Sequence, residues 1–143
     1  MKSITFLLLV LSVSCTSIAQ NPDAIIGKWM TLSGNCLVEV YKENTEYKAK
    51  LLWFKAGDKP INDWTDDKNH DPVLRNRKLL GIDVVRGLHY DSKEDEWVDG
   101  IIYDASSGKE WDSVVWLTDE NLLKVKGYWI FKFLSQTRTF KKE

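Results

Sequence analysis

The stretch Asp66-Asp67-Lys68-Asn69-His70-Asp71-Pro72 gathers the residues best suited to chemistry. Asp67, Asn69 and Asp71 have the first three ligand spacings of a calcium loop. The pattern then fails, because Pro72 stands where the turn needs glycine and Lys78 where a bidentate Glu closes the loop. His70 lies among these oxygens with no second histidine at zinc spacing. No metal is therefore expected. The same side chains suit capping of backbone N–H groups, and Asp71-Pro72 suits the opening of a helical turn around Val73 to Arg77. Arg75 and Arg77 add planar donor forks. Such forks either pin neighbouring carboxylates or, facing an opening, hold a carboxylate, phosphate or sulfate. Pinning is the leading account.

Signs of catalysis are sparse. His70 and His89 are the two histidines, and neither stands near a recognisable nucleophile. A Gly-x-Ser-x-Gly elbow, a phosphate-cradling glycine loop and a dinucleotide fingerprint are all missing from the sequence. No catalytic residue and no cofactor is expected, and a hydrolase is the least supported reading. The aromatic set says more, with seven Trp and five Tyr in 143 residues. Trp53, Trp97, Tyr103, Trp111 and Trp129 share a parity with aliphatic neighbours. They are the candidates for lining an interior that is either filled by side chains or open to one small amphipathic ligand. Trp64 belongs with Asp67, Asn69, Asp71, Arg75 and Arg77 in a loop expected at the mouth of that interior.

The elements that position these residues repeat every two positions, not every 3.6. Tyr47, Ala49, Leu51 and Trp53 alternate with Lys48 and Lys50, the pattern of a strand with one wet face. Equivalent alternation marks segments 26–32, 36–42, 80–84, 97–103, 111–117, 123–129 and 136–141. Ser33-Gly34-Asn35, Glu43-Asn44-Thr45, Ser106-Ser107-Gly108 and Thr118-Asp119-Glu120-Asn121 supply short turns. Short connections imply antiparallel neighbours. Eight strands in a meander close naturally into an up-and-down β-barrel, which removes exposed edges. The exception is an irregular loop over residues 56–78. A loop of that length tends to be functional, and Trp64, Val73 and Leu74 would tie it to the body.

Residues 1–19 have the make-up of a secretion leader: Lys2, an apolar run from Ile4 to Val13, and the small residues Ser17 and Ala19 around a cleavage point. Removal leaves 124 residues over positions 20–143, enough for a single domain. The formal charge moves from −1 to −2 with the loss of Lys2, which gives no electrostatic footprint for nucleic acid. No apolar run is long enough to span a bilayer. Cys15 leaves with the leader, so Cys36 has no internal disulfide partner and is expected to be a buried thiol. A lipid anchor on Cys15 is the lesser alternative, because Ser12 occupies the position where a lipoprotein leader usually has Leu. The expected location is the periplasm or the exterior.

The motifs then fall into an ordered set: Gly27-Lys28-Trp29; Asp67-x-Asn69-x-Asp71-Pro72-x-Leu74-Arg75-Asn76-Arg77-x-Leu79-Leu80-Gly81; Trp97-x-x-Gly100-x-Ile102-Tyr103-Asp104; Ser107-Gly108-Lys109; and Lys126-Gly127-Tyr128. This set resembles the bacterial exported family called domain of unknown function 2147, from about Asp23 to the end of the chain. The resemblance implies a small lipocalin-type or streptavidin-type barrel and carries no established activity. Two positions depart from the family pattern: Ala105 where Pro is usual, and Phe140-Lys141-Lys142 in place of a Trp-x-Arg ending. In such barrels a Gly-x-Trp motif plugs one end, with a cation of the last strand over the ring. Gly27 and Trp29 fill that role here, and Arg138 or Lys142 would supply the cation.

The sequence thus points to a monomer-sized, non-catalytic barrel that binds a small hydrophobic or amphipathic molecule. Its rival is a solid-cored module that contacts another protein. Intact mass of the exported protein is expected to match a chain beginning at Gln20; a diacylglyceryl group on an N-terminal Cys15 would contradict that start.

Overall fold

Alternating apolar and polar residues produce eight strands: β1 (Gly27–Thr31), β2 (Cys36–Glu43), β3 (Glu46–Phe54), β4 (Asp83–Asp91), β5 (Glu96–Asp104), β6 (Lys109–Asp119), β7 (Leu122–Tyr128) and β8 (Ser135–Lys142). The computed structural model describes residues 21–128 and 135–143. The leader expected over residues 1–19, with Cys15, and the interior candidate Trp129 lie outside the described residues. Each strand pairs antiparallel with the next, and β8 returns to β1, closing an eight-stranded up-and-down barrel. Among the described residues no helix is long and apolar enough to cross a membrane.

One strand lies later in the chain than its alternation implies. Segment 80–84 reads as the fourth strand, yet β4 runs over Asp83–Asp91. Gly87 adopts a left-handed φ of 73°, which inserts a bulge and breaks the period-two signal between Val85 and Leu88. Leu79 and Ile82, ahead of the strand, are buried in the core instead. A 3₁₀ turn over Pro72–Leu74 replaces the expected longer helical turn, with Asp71 Oδ1 accepting from the Val73 N–H at 2.9 Å.

Two further bulges reassign the inside and outside of the barrel. In β3, Val38 pairs with Leu51 but Leu37 pairs with Trp53, so one extra residue enters at Leu52. Phe54, paired with Cys36, packs against the core, while Trp53 is turned outward and 39% exposed. In β5, Trp97–Gly100 stands against Ser113–Val115, and Asp99 has φ 62°. Trp97 faces inward on the near side of this bulge. Beyond it the even positions Gly100 and Ile102 face inward. A Cβ on Gly100 would lie 2.4 Å from Leu88 Cδ2 and 2.6 Å from Ser113 Oγ, so glycine alone fits there. Tyr103 therefore leaves the interior set and shares the face of its partner Glu110. These bulges correct the interior expectation for Trp53 and Tyr103.

One end of the barrel is plugged. The 3₁₀ turn Pro22–Ile25 crosses it and buries Ile25 completely. Trp29 is fully buried and donates from Nε1 to the Ile25 carbonyl at 2.8 Å. Trp97 Nε1 donates to the Pro22 carbonyl at 3.0 Å, and Tyr47 donates its hydroxyl to Asp23 at 2.6 Å. Tyr47 and Tyr90 pack their rings against Trp97. Every polar atom brought in by these indoles is thus satisfied by the plug. The cation over Trp29 is Lys142, whose Nζ lies 5.5 Å from the ring centroid, directly across the β1–β8 pair. Arg138 does not take that place, because it pairs with Val125 two register steps towards the other end. Gly27, with φ 136°, makes the bend that starts the first strand. Trp29→Ala is expected to cost about 3–5 kcal/mol, read as a lowered denaturation midpoint; an unchanged midpoint would remove Trp29 from the plug.

Candidate functional site

The interior changes character along two adjacent rows of inward residues. One row runs across β5 to β8 through Trp97, Val115, Val125 and Arg138. Trp97 is 0% and Val115 3% exposed, Val125 is half-buried, and Arg138 is exposed. The second row runs through Gly100, Ser113, Gly127 and Gln136. Ser113 is completely buried, and its Oγ has no hydrogen-bond partner among the described residues. An unpaired buried hydroxyl costs about 1–3 kcal/mol of desolvation, so a side chain kept there marks a place where a partner is missing. Nearer the rim, Ile102 pairs with Trp111, and both are only half-buried. A hollow of about 300 Å³ lies beside Trp111, lined also by His70, Lys109 and Glu110. The closed half is packed. Towards the other end, among the described residues, buried Ser113 stands between Gly100 and Gly127, and half-buried Ile102 and Trp111 form the next row.

The long loop borders this open half, and its anchor is a residue outside the expected set. Asp66, not Asp67, is the buried carboxylate. Its Oδ1 accepts from Tyr103 at 2.5 Å; its Oδ2 accepts from Asn69 Nδ2 at 2.7 Å and from Arg77 Nε at 2.9 Å and NH2 at 2.8 Å. The backbone closes the same junction, with Asp66 N donating to the Arg77 carbonyl and Thr65 bridging Lys78. Asp67 is exposed and lies 3.7 Å from Lys68. Asn69 receives the Asp71 N–H, and Asp71 caps the 3₁₀ turn. Arg75 donates to the Asn69 carbonyl at 2.7 Å. Both loop arginines thus take part in pinning, Arg77 through two nitrogens on Asp66 and exposed Arg75 through Nε. Trp64 packs edge-on to inward-facing Phe54 at 6.0 Å, with Lys59 over its other face.

The turn between β5 and β6 completes the lock. Asp104 accepts from the N–H and hydroxyl of Ser106 and the hydroxyl of Ser107. Gly108 has φ 70°, and a Cβ there would lie 2.0 Å from the Lys68 carbonyl oxygen. A side chain at position 108 would thus push the loop off. The Asp66 signal in the sequence was its alternation, Trp64 inward and Asp66 one register step on, but two adjacent aspartates hid which one was buried. Among the described residues no group of three His, Cys, Asp or Glu side chains is placed to hold a metal.

Burial pushes the Asp66 carboxyl upward, but the bonds from Tyr103, Asn69 and Arg77, with the Arg77 charge, outweigh it and hold the pKa below the ordinary value. Burial and then the Asp66 carboxylate push the Tyr103 phenol up to about 12, so it stays a donor. A depressed carboxyl contributes stability that is complete above the unfolded value of about 4 and is lost as pH falls through the folded value. Asp66→Ala is expected to cost about 2–3 kcal/mol, at the low end for a buried pair because half-exposed Arg77 can turn to water. Urea titrations should also show the loss below about pH 4 to be shallower in Asp66→Ala than in wild type; parallel curves would contradict the lock.

Comparison with known proteins agrees with this architecture. A family model described as "uncharacterized protein conserved in bacteria", domain of unknown function 2147, matches residues 27–142. Among solved structures, protein HP1028 from the human pathogen Helicobacter pylori, described as belonging to the lipocalin family, superimposes with a TM-score of 0.71. It is 23% identical, over 83% of this chain and 82% of that one, a likeness that shows a shared lipocalin-like fold. No curated protein matches the chain. With the family model spanning every strand of the barrel, this chain belongs to the bacterial family domain of unknown function 2147.

Proposed function

We propose that the open half of the barrel binds one small hydrophobic or amphipathic molecule, without catalysis, in the cell envelope to which the leader would direct the protein. The observation that carries this reading is Ser113, a fully buried hydroxyl on the inward face with no partner among the described residues. Solid-cored barrels satisfy or remove such groups. Here the hydroxyl sits at the boundary between the packed half and the half-buried Ile102–Trp111 tier. A ligand with an apolar body against Trp111 would occupy the hollow beside it, with the Ser113 hydroxyl one register row deeper.

A second reading, contact with another protein, draws on the exposed Leu32, Trp53 and Val73. Tryptophan fluorescence against a panel of fatty acids, isoprenoids, haem and sugars distinguishes the two. Saturable quenching is expected for an amphipathic member of the panel, weakened at least about tenfold, or 1.4 kcal/mol, by Trp111→Ala and unaffected by Trp53→Ala. Ser113→Ala should weaken binding while leaving the free protein equally stable or about 1 kcal/mol more stable. A panel with no saturable member would sink the ligand reading.

A further inference from the structure

Of the four arginines, Arg77 holds Asp66 and Arg86 holds Glu110 through two bonds each, and Arg75 donates from Nε to the Asn69 carbonyl. Arg138 makes no hydrogen bond or ion pair among the described residues. Its place in the barrel is unusual as well. β1 pairs with β8 only from Trp29 to Thr31, where Thr31 faces Phe140. Beyond that point β8 continues to Ser135 with β7 on one side and the β1–β2 turn on the other, joined by the Leu32 N–H to the Thr139 carbonyl. The wall therefore has a seam.

A hollow of about 210 Å³ occupies this seam, lined by Thr31, Leu32, Ser33, Thr137, Arg138 and Thr139. No lining residue is acidic. The Thr31 and Ser33 hydroxyls are spent on Asn35, but those of Thr137 and Thr139 have no partner among the described residues. Arg138 also ends the inward row that begins at Trp97, so its charge reaches the interior. Burial raises the Cys36 thiol pKa, and the Arg138 charge acts against that rise from across the mouth. A planar guanidinium in a hollow with no acidic lining residue is a donor that oxyanions select.

We propose that Arg138 binds the carboxylate or phosphate of an anionic ligand at the seam between β8 and the β1–β2 turn, in the hollow that it lines. The proposal rests on the reading of the open half as ligand space and sharpens it: the apolar body lies along Ile102 and Trp111, and the anionic head sits at the rim. Exposed Arg138 has no side-chain bond to lose among the described residues, so its substitution is expected to leave the barrel intact.

The test uses the full barrel, wild type and Arg138→Gln and Arg138→Lys, titrated calorimetrically with decanoate, decyl phosphate, decanol and inorganic phosphate. Decanoate or decyl phosphate should bind wild type at least tenfold more tightly than decanol. Arg138→Gln should abolish that preference without weakening decanol, and Arg138→Lys should restore it in part. Inorganic phosphate bound only when Arg138 is present, with no decyl probe bound, would keep the anion site for a free anion and remove the ligand-space reading. Anionic probes bound equally by wild type and Arg138→Gln, or not bound at all, would overturn the proposal, even with decanol binding intact.

Discussion

A barrel closes at one seam, where its first strand meets its last, and here that seam is three residue pairs long, Trp29 to Thr31 against Lys142 to Phe140. The rest of the structure depends on how those pairs are held. Trp29 is buried completely, anchored through its indole N–H to the plug and covered by Lys142 on the opposite strand. Desolvation of the ring and the short-range cation contact concentrate stability at this end. The sheet then has no remaining first strand with which to seal the other end, and β8 runs on past Thr31. One end is plugged where β1 and β8 pair, and past Thr31 the β1–β2 turn takes the place of β1 beside β8.

The family motifs acquire a physical meaning from the same geometry. Asp71-Pro72, Arg75 and Arg77, Tyr103-Asp104 and Ser107-Gly108 are far apart in sequence but meet in one junction around buried Asp66. Each contributes what that junction needs: a cap, a donor fork, a phenol, a turn, or the absence of a Cβ. This is the work of holding a long loop against the rim, and both of the loop's arginines take part in it. Residues that look chemically active in sequence serve the junction, while Ser113, a plain serine in a strand, is the buried polar side chain left without a partner among the described residues.

Strand order, antiparallel pairing and closure were legible in the sequence, because alternation and short turns leave little choice of topology; the plug role of Trp29 was implied by the family resemblance. Inside and outside were legible only up to the first bulge. Trp97 lies before the bulge at Asp99 and Tyr103 beyond it, so their shared parity in sequence becomes opposite faces in the barrel. Trp53 and Phe54 exchange roles for the same reason. A one-residue insertion has no compositional signature, yet it flips every later side chain. Choosing Asp66 over Asp67, or Lys142 over Arg138, likewise requires the register, since each pair offers the same chemistry a few residues apart.

A crystal structure of the protein purified from its source organism, with no ligand added, tests the central claim most directly. The account predicts continuous non-protein density that starts at the Ser113 hydroxyl, passes Trp111 and ends beside the Arg138 guanidinium. The contradicting result is a barrel whose open half is filled by its own side chains, with the Ser113 hydroxyl bonded within the protein and Arg138 paired to one of its carboxylates.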